Sequence, residues 1–196
     1  YVSVKVIRHE EFVSAPGIIT PLCTLLTINI LYRYVYTTQM LLSLDMNTEV
    51  YNRNQYLKDL TFFTGKKMRA VGCAFVDVNG LHDHNNNFGH ESGDRLLRSV
   101  ADMLRETFPK ASIYRIGGDE FTVILTGRDY ENREKILQKI SSYLQSEDAI
   151  AENISFATGI SAYDPQTDSD FQSVFVRADA LMYEQKREMK NGRPIR

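Results

Sequence analysis

Two glycines, Gly117 and Gly118, stand between apolar runs of strand length, Ser112 to Ile116 and Phe121 to Thr126. No other feature limits the fold of this chain so strongly. Paired glycines between two such runs read as a β-hairpin, because glycine accepts the positive φ that a tight turn demands. The hairpin has matching neighbours on both sides. Ala70 to Val76 is a short apolar run that reads as a buried strand ending at Asp77, and Ile154, Phe156, Thr158 and Ile160 alternate as a strand. Between the first strand and the hairpin, Leu96, Leu97, Val100, Met103, Leu104 and Phe108 share one helical face from Glu91 to Phe108, and Pro109 closes it. After the hairpin, Asp129 is read as the cap of a helix carrying Ile136, Leu137, Ile140 and Leu144.

The order strand, helix, strand, strand, helix, strand predicts an α+β fold of ferredoxin-like, palm-like type: a split βαβ antiparallel sheet flanked by helices. Two further helices bracket it. One starts at Asn52, with Gln55 at the reciprocal capping position, and carries Tyr56, Leu57, Leu60 and Phe63 until Gly65. The other starts at Asp170, carries Phe171, Val174, Phe175, Ala178, Leu181 and Met182, and stops at Asn191-Gly192 and Pro194. In this topology the strand after the hairpin inserts beside the first, so Asp77 and the pair Asp119, Glu120 converge on one sheet edge.

Ahead of that block, Phe12 to Tyr32 runs 21 residues without a charge, long enough as a helix for about 30 Å of hydrocarbon. Pro16, Gly17 and Pro21 interrupt it, and Ser14, Thr20, Thr24, Thr27 and Asn29 dilute it. A buried or dimer-forming segment is therefore favoured over a membrane span, with membrane contact left open. Residues from about Leu31 to Leu44 are expected to form a signalling helix that pairs with its copy, and Val2, Val4 and Val6 alternate as the end of a truncated sensor strand. The division expected is a connector at 1–44 and a catalytic-type domain at 45–196. A formal charge of -2, from 23 Lys+Arg against 25 Asp+Glu, argues against nucleic acid as a partner. Cys23 and Cys73 form no CxxC pair, so neither a disulfide framework nor a thiolate zinc site is indicated, and a cytoplasmic setting fits.

Three carboxylates brought together from segments that hold no basic residue repel one another unless a cation holds them. Oxygen ligands from Asp77 and Asp119 suit Mg²⁺ or Mn²⁺, which complete their shells with water and substrate phosphates. Asp77-Val78-Asn79-Gly80-Leu81 leaves the strand through a glycine turn whose N–H groups are able to meet phosphate. Downstream, Asn85-Asn86-Asn87-Phe88-Gly89-His90 and then Ser92-Gly93-Asp94 place amide and carboxylate groups around the start of the next helix, a set suited to a guanine edge, although loop and capping chemistry explains the same residue types.

Arg115-Ile116-Gly117-Gly118-Asp119-Glu120-Phe121 carries the GGDEF signature, and the chain resembles the diguanylate cyclase domains. Asp45 to Arg53 is similar to that family's DxLTxLxNR, Asp77 to Asp94 to DxDxxKxxNDxxGHxxGD, and Ala178 to Tyr183 with Lys186 to ADxALYxAK. The resemblance implies a half-site that binds GTP and, facing a second copy in a homodimer, condenses two GTP into cyclic di-GMP with release of two pyrophosphates. It implies two Mg²⁺ (or Mn²⁺) ions per GTP site, held by Asp77, the Val78 carbonyl and Asp119, with Glu120 assisting in metal binding or proton transfer. It assigns catalysis to Asp119 and Glu120, and GTP binding to Gly80, Leu81, His82, Asn85, Asp94, Lys186 and Lys190.

The chain departs from that pattern in places. His82 stands where the family generally has a lysine, so triphosphate affinity is expected to be weaker and pH-dependent. Asn79 and Asn86 replace two acids. The inhibitory RxxD motif is replaced by Phe108-Pro109-Lys110-Ala111, so no allosteric inhibitory site is expected and tight product binding there would contradict this. His82, His84 and His90, read in a loop after a strand, also invite a transition-metal or HD-type phosphohydrolase reading, and a degenerate domain acting as a GTP-binding regulatory module is the main alternative. A cytoplasmic domain of a membrane-anchored parent is compatible with all of this.

Overall fold

The computed structural model describes residues 15–63, 70–147, 149 and 154–192. Two compact units divide the chain, Tyr1–Leu42 and Ser43–Arg196. The first is dominated by helix α1, Ala15–Ser43. Its apolar side chains from Ile19 to Tyr36 stand exposed, and Tyr32 stacks on Tyr36 with ring centroids 6.3 Å apart. The helix runs through Pro21 instead of breaking there. Pro16 lies in its first turn, where a missing N–H costs no intrahelical bond. Thr24 and Thr27 donate their hydroxyls to the carbonyls of Thr20 and Cys23, so these polar groups are satisfied within the helix. Among the described residues no helix is long and apolar enough to cross a membrane. The alternating residues at 2–6 lie outside the described residues.

The second unit is built from β1 (Tyr51–Asn52), α2 (Arg53–Leu60), β2 (Val71–Val78), α3 (Leu81–Phe88), α4 (His90–Thr107), β3 (Ser112–Arg115), β4 (Glu120–Thr126), α5 (Gly127–Glu131), α6 (Arg133–Leu144), β5 (Phe156–Ala162) and α7 (Phe171–Lys190). The sheet order is β1-β3-β4-β2-β5. β4 lies antiparallel between β2 and β3, and β5 covers the other side of β2, as the split βαβ order predicts. A two-residue β1 adds a parallel edge beside β3, which makes the sheet mixed.

β2 is buried along its whole length because helices cover both faces of the sheet. Alternation divides its side chains between two cores. Ala74, Val76 and Val78, with Phe121, Val123 and Leu125 of β4, pack against α4 residues Leu97, Val100 and Leu104. Val71, Cys73 and Phe75 face the other way, against Tyr56 of α2 and Phe171, Val174, Ala178 and Met182 of α7. Cys73 is wholly enclosed there and shares a hydrogen bond with Thr122, and burial pushes its thiol up to about 12. By the same parity Asp77 faces α7, and so does its register partner Glu120.

Several local expectations are revised. Asn52 caps α2 by accepting from Gln55 N–H, but the Gln55 amide donates to Asp59 and not back to the cap. α2 ends at Leu60, with Leu57 on the exposed side; Gly65 lies outside the described residues. Asp129 sits inside α5 with its carboxylate accepting from Lys110 N–H, and Asn132 precedes α6. Leu181 faces outward on α7, while Asp170 caps that helix by accepting from Ser173 N–H. Gly192 takes φ 67° after the helix end; Pro194 lies outside the described residues.

Candidate active site

The hairpin glycines serve a different purpose from the one expected, since neither Gly117 nor Gly118 adopts positive φ. A Cβ on Gly117 would come to 2.3 Å of the Glu120 carboxylate, whereas one on Gly118 would meet open space. Space beside Glu120, not backbone handedness, therefore explains the first glycine. Ile116 N–H donates to the Glu120 carbonyl at 3.0 Å, and Val78 N–H to the Asp119 carbonyl at 2.9 Å. The first bond closes the hairpin and the second fastens its turn to the end of β2.

Asp77 and Glu120 are directly paired across β2 and β4. Asp77 is buried, and its Oδ1 accepts a 2.5 Å hydrogen bond from Lys186 Nζ of α7. β2 and β4 themselves carry no cation; α7, more than a hundred residues downstream, supplies the one that pairs with Asp77. Burial raises the Glu120 carboxyl above its ordinary value, and the charges of Asp119, Asp77 and Asp179 raise it further, with Lys186 opposing them. Glu120 thus feels three other carboxylates and a single ammonium. That surplus of hard oxygen donors, with no thiolate near, fits a small divalent cation. Among the described residues no three acidic, His or Cys side chains form a ready-made cage.

Beyond β2 the chain turns at Gly80, whose φ of 67° is left-handed, and enters α3 without a side-chain cap. The first-turn N–H groups of α3 are then available to an anion, with the helix dipole in their favour. His82 and His84 lie in α3 and His90 opens α4, so none of the three sits in a loop. His82 is exposed with Asn86 donating to its Nε2 at 3.1 Å, and His84 bonds Ser92 at 2.9 Å and packs on Phe88. These contacts hold each histidine separately, and no transition-metal cluster arises from them among the described residues.

α3 and α4 meet where Asn85 lies over Gly93; a Cβ there would sit 1.8 Å from Asn85 Oδ1. That oxygen is buried and has no hydrogen-bond partner. Asp94, the next residue, is held by Asn47, whose amide donates to its carbonyl at 3.3 Å and to its Oδ1 at 3.2 Å. Sequence reasoning did not single out Asn47; the only signal was a polar residue where the quoted motif has leucine. Lys190, at the end of α7, is exposed one turn beyond Lys186. Phe108, at the first position of the missing RxxD motif, is buried in the core.

Arg115 links the signature to the start of this unit. Its guanidinium donates to Asp45 Oδ1 at 3.0 Å and to the Gly118 carbonyl at 2.7 Å. Burial raises the Asp45 carboxyl, but hydrogen bonds from Thr48 and Arg115 outweigh it and hold the group below its usual range.

Removing the α7 cation has a predictable cost. Lys186→Met leaves Asp77 facing Glu120 without a counter-charge, and unfolding stability at neutral pH is expected to fall by about 1–2 kcal/mol, because the pair is only partly shielded from water. Urea midpoints of the two proteins measure this; an unchanged midpoint would contradict the pairing.

Comparison with known proteins gives three findings. A family model described as diguanylate cyclase, GGDEF domain, matches residues 42–192. An uncharacterized membrane protein of Staphylococcus saprophyticus is 28% identical over 149 residues, and another of Staphylococcus aureus is 24% identical over 147. The chain spans only 40% of the length of either relative, and the match covers 70% of the chain. Among solved structures, the GGDEF domain of FimX from Pseudomonas aeruginosa superposes with a TM-score of 0.63 at 21% identity, covering 74% of this chain and 94% of that one. The coiled coil and GGDEF domain of DgcB from Caulobacter crescentus, solved with c-di-GMP, superposes with a TM-score of 0.66 at 22% identity, covering 89% and 95%.

Proposed function

The chain belongs to the GGDEF diguanylate cyclase domain family, and from that premise we propose that it condenses two GTP into cyclic di-GMP across a homodimer. The observation that carries this reading is the convergence of Asp77, Asp119 and Glu120 on one sheet edge, with Lys186 set against them. Asp77, the Val78 carbonyl and Asp119 would hold Mg²⁺ or Mn²⁺, which would neutralise the triphosphate and lower the pKa of the attacking 3'-hydroxyl.

The remaining work falls to the chain's own groups. The turn at Gly80-Leu81 and the first turn of α3 offer N–H groups to the phosphates. Lys186 exchanges its bond with Asp77 for a phosphate oxygen, joined by Lys190 from the same face of α7. Glu120, paired with Asp77 across the sheet edge, shares the proton leaving the 3'-hydroxyl. Asn85 and Asp94 supply acceptors to the base. His82 stands where the family motif carries lysine, so α3 offers the triphosphate one permanent charge fewer and its binding is expected to be weaker.

One domain holds one GTP, so turnover requires a second copy, and α1 in the connector is the proposed route of dimerisation. A membrane-anchored parent accords with the naming of the staphylococcal relatives. The reading is tested by diluting purified protein in GTP and Mg²⁺: the rate of pyrophosphate release per protomer should rise with protein concentration until the dimer saturates. Nucleotide binding without turnover at any concentration would favour a regulatory GTP-binding module instead.

A further inference from the structure

The segment before α2 is built as a rigid turn. Asp45 N–H donates to the Val50 carbonyl at 2.8 Å, and Glu49 N–H donates to the Asp45 carbonyl at 2.9 Å. The Asp45 carboxylate accepts from both the N–H and the hydroxyl of Thr48. Arg115 clamps the same carboxylate, and Arg105 donates to the Thr48 carbonyl. Glu49 closes the turn at φ 57°, a conformation rarely taken without such bracing. What this scaffold presents at its tip is the amide of Asn47, both of whose contacts go to Asp94.

Asp94 is exposed, and an exposed carboxylate on a helix ordinarily samples several rotamers. Asn47 removes that freedom by engaging Oδ1, which leaves Oδ2 as a fixed acceptor. At the α3–α4 contact, the buried and unpartnered Asn85 Oδ1 lies against Gly93, the residue preceding Asp94. A fixed Asp94 Oδ2, with Asn85 as the second acceptor proposed for the base, matches the N1–H and 2-amino donors of guanine. Adenine offers an acceptor at N1 and no 2-amino group, and hypoxanthine keeps N1–H but lacks the 2-amino group.

We infer that Asn47 is a positioning residue for base selection: by holding the Asp94 carboxylate it sets the preference for guanine over other purines. The inference rests on the reading of Asp94 as a base-contacting residue. It concerns a polar residue where the related motif carries leucine, so it gives this chain a more ordered acceptor than leucine provides.

The test is competitive binding of GTP, ITP and ATP in the presence of Mg²⁺ to the whole chain and to three variants. The wild type should rank GTP above ITP above ATP. Asn47→Leu should weaken GTP by about five- to tenfold, the worth of one positioned hydrogen bond, with ATP binding unchanged. Asn47→Asp sets a second carboxylate against Asp94 and should reduce the GTP preference further. If Asn47→Leu weakens all three nucleotides equally, the residue is structural and the inference fails. If Asp94→Ala loses the preference while both Asn47 variants keep it, the inference fails and the reading beneath it stands. A wild type with no preference among the three would overturn both.

Discussion

Asp119→Ala is expected to reduce cyclic di-GMP formation by about a thousandfold while leaving the fold intact. The two halves of that expectation have separate causes. The tie between the hairpin and β2 runs through the Asp119 carbonyl, which accepts from Val78 N–H, and alanine keeps that carbonyl. The carboxylate, by contrast, is one of the hard oxygen donors at the sheet edge, and removing such an electrostatic element costs two to three orders of magnitude in turnover. Product formation followed by chromatography, with melting temperatures for both proteins, separates the two. A variant that melts far below wild type, or one that keeps its activity, would contradict the assignment.

The second large effect concerns the helix that delivers the cation. β5 and α7 touch at Gly159, where a Cβ would lie 2.1 Å from the Ala178 carbonyl oxygen and 2.4 Å from the Met182 nitrogen. Both atoms are backbone of α7, which is anchored by Phe171, Val174, Ala178 and Met182 in the core, so neither yields cheaply. Gly159→Ala is expected to cost about 3 kcal/mol, the upper part of the range for overpacking, or about 6–12 °C in melting temperature for a unit of this size. Because α7 carries Lys186, turnover should fall with it. Gly118→Ala, where the added Cβ meets nothing, is the matched control and should melt within a degree or two of wild type. Equal effects at the two positions would mean that β5 and α7 are less closely packed than described.

Much of this arrangement was legible from the chain alone. β2 read as a buried strand because it is central and covered on both faces, so it lacks the polar alternation of a half-exposed strand. Convergence of Asp77 with Asp119 and Glu120 followed from topology, since a hairpin strand inserted beside β2 must bring its first residues to the end of β2. Other features were invisible for identifiable reasons. β1 is two residues long and has no periodicity to detect. α3 carries histidine, aspartate and three asparagines, residue types that favour turns, and it forms because its ends are set by Gly80 and Gly89 and it packs on α4. The Lys186–Asp77 pair joins residues 109 positions apart, and only the parity of Asp77 toward α7 gave a route to it. Gly117 was read as a residue for positive φ, whereas what it supplies is room for the Glu120 carboxylate. Asn47 looked like a mismatch to a motif, and its meaning depends on a contact with α4 that no local pattern encodes.

The same logic relates the connector to the catalytic unit. Helix α1 is apolar around most of its circumference and carries one charged residue, Arg33. Such a surface needs a partner to bury it, and in the proposed homodimer that partner would be a second copy of α1. That link is part of the proposal, and the concentration dependence of turnover tests it.

The most direct measurement of the central claim is the product balance of the purified chain supplied with GTP and Mg²⁺. The account predicts one cyclic di-GMP and two pyrophosphates for every two GTP consumed, with both products lost in Asp119→Ala. GTP bound but unconsumed, or pyrophosphate released without a cyclic dinucleotide, would contradict it.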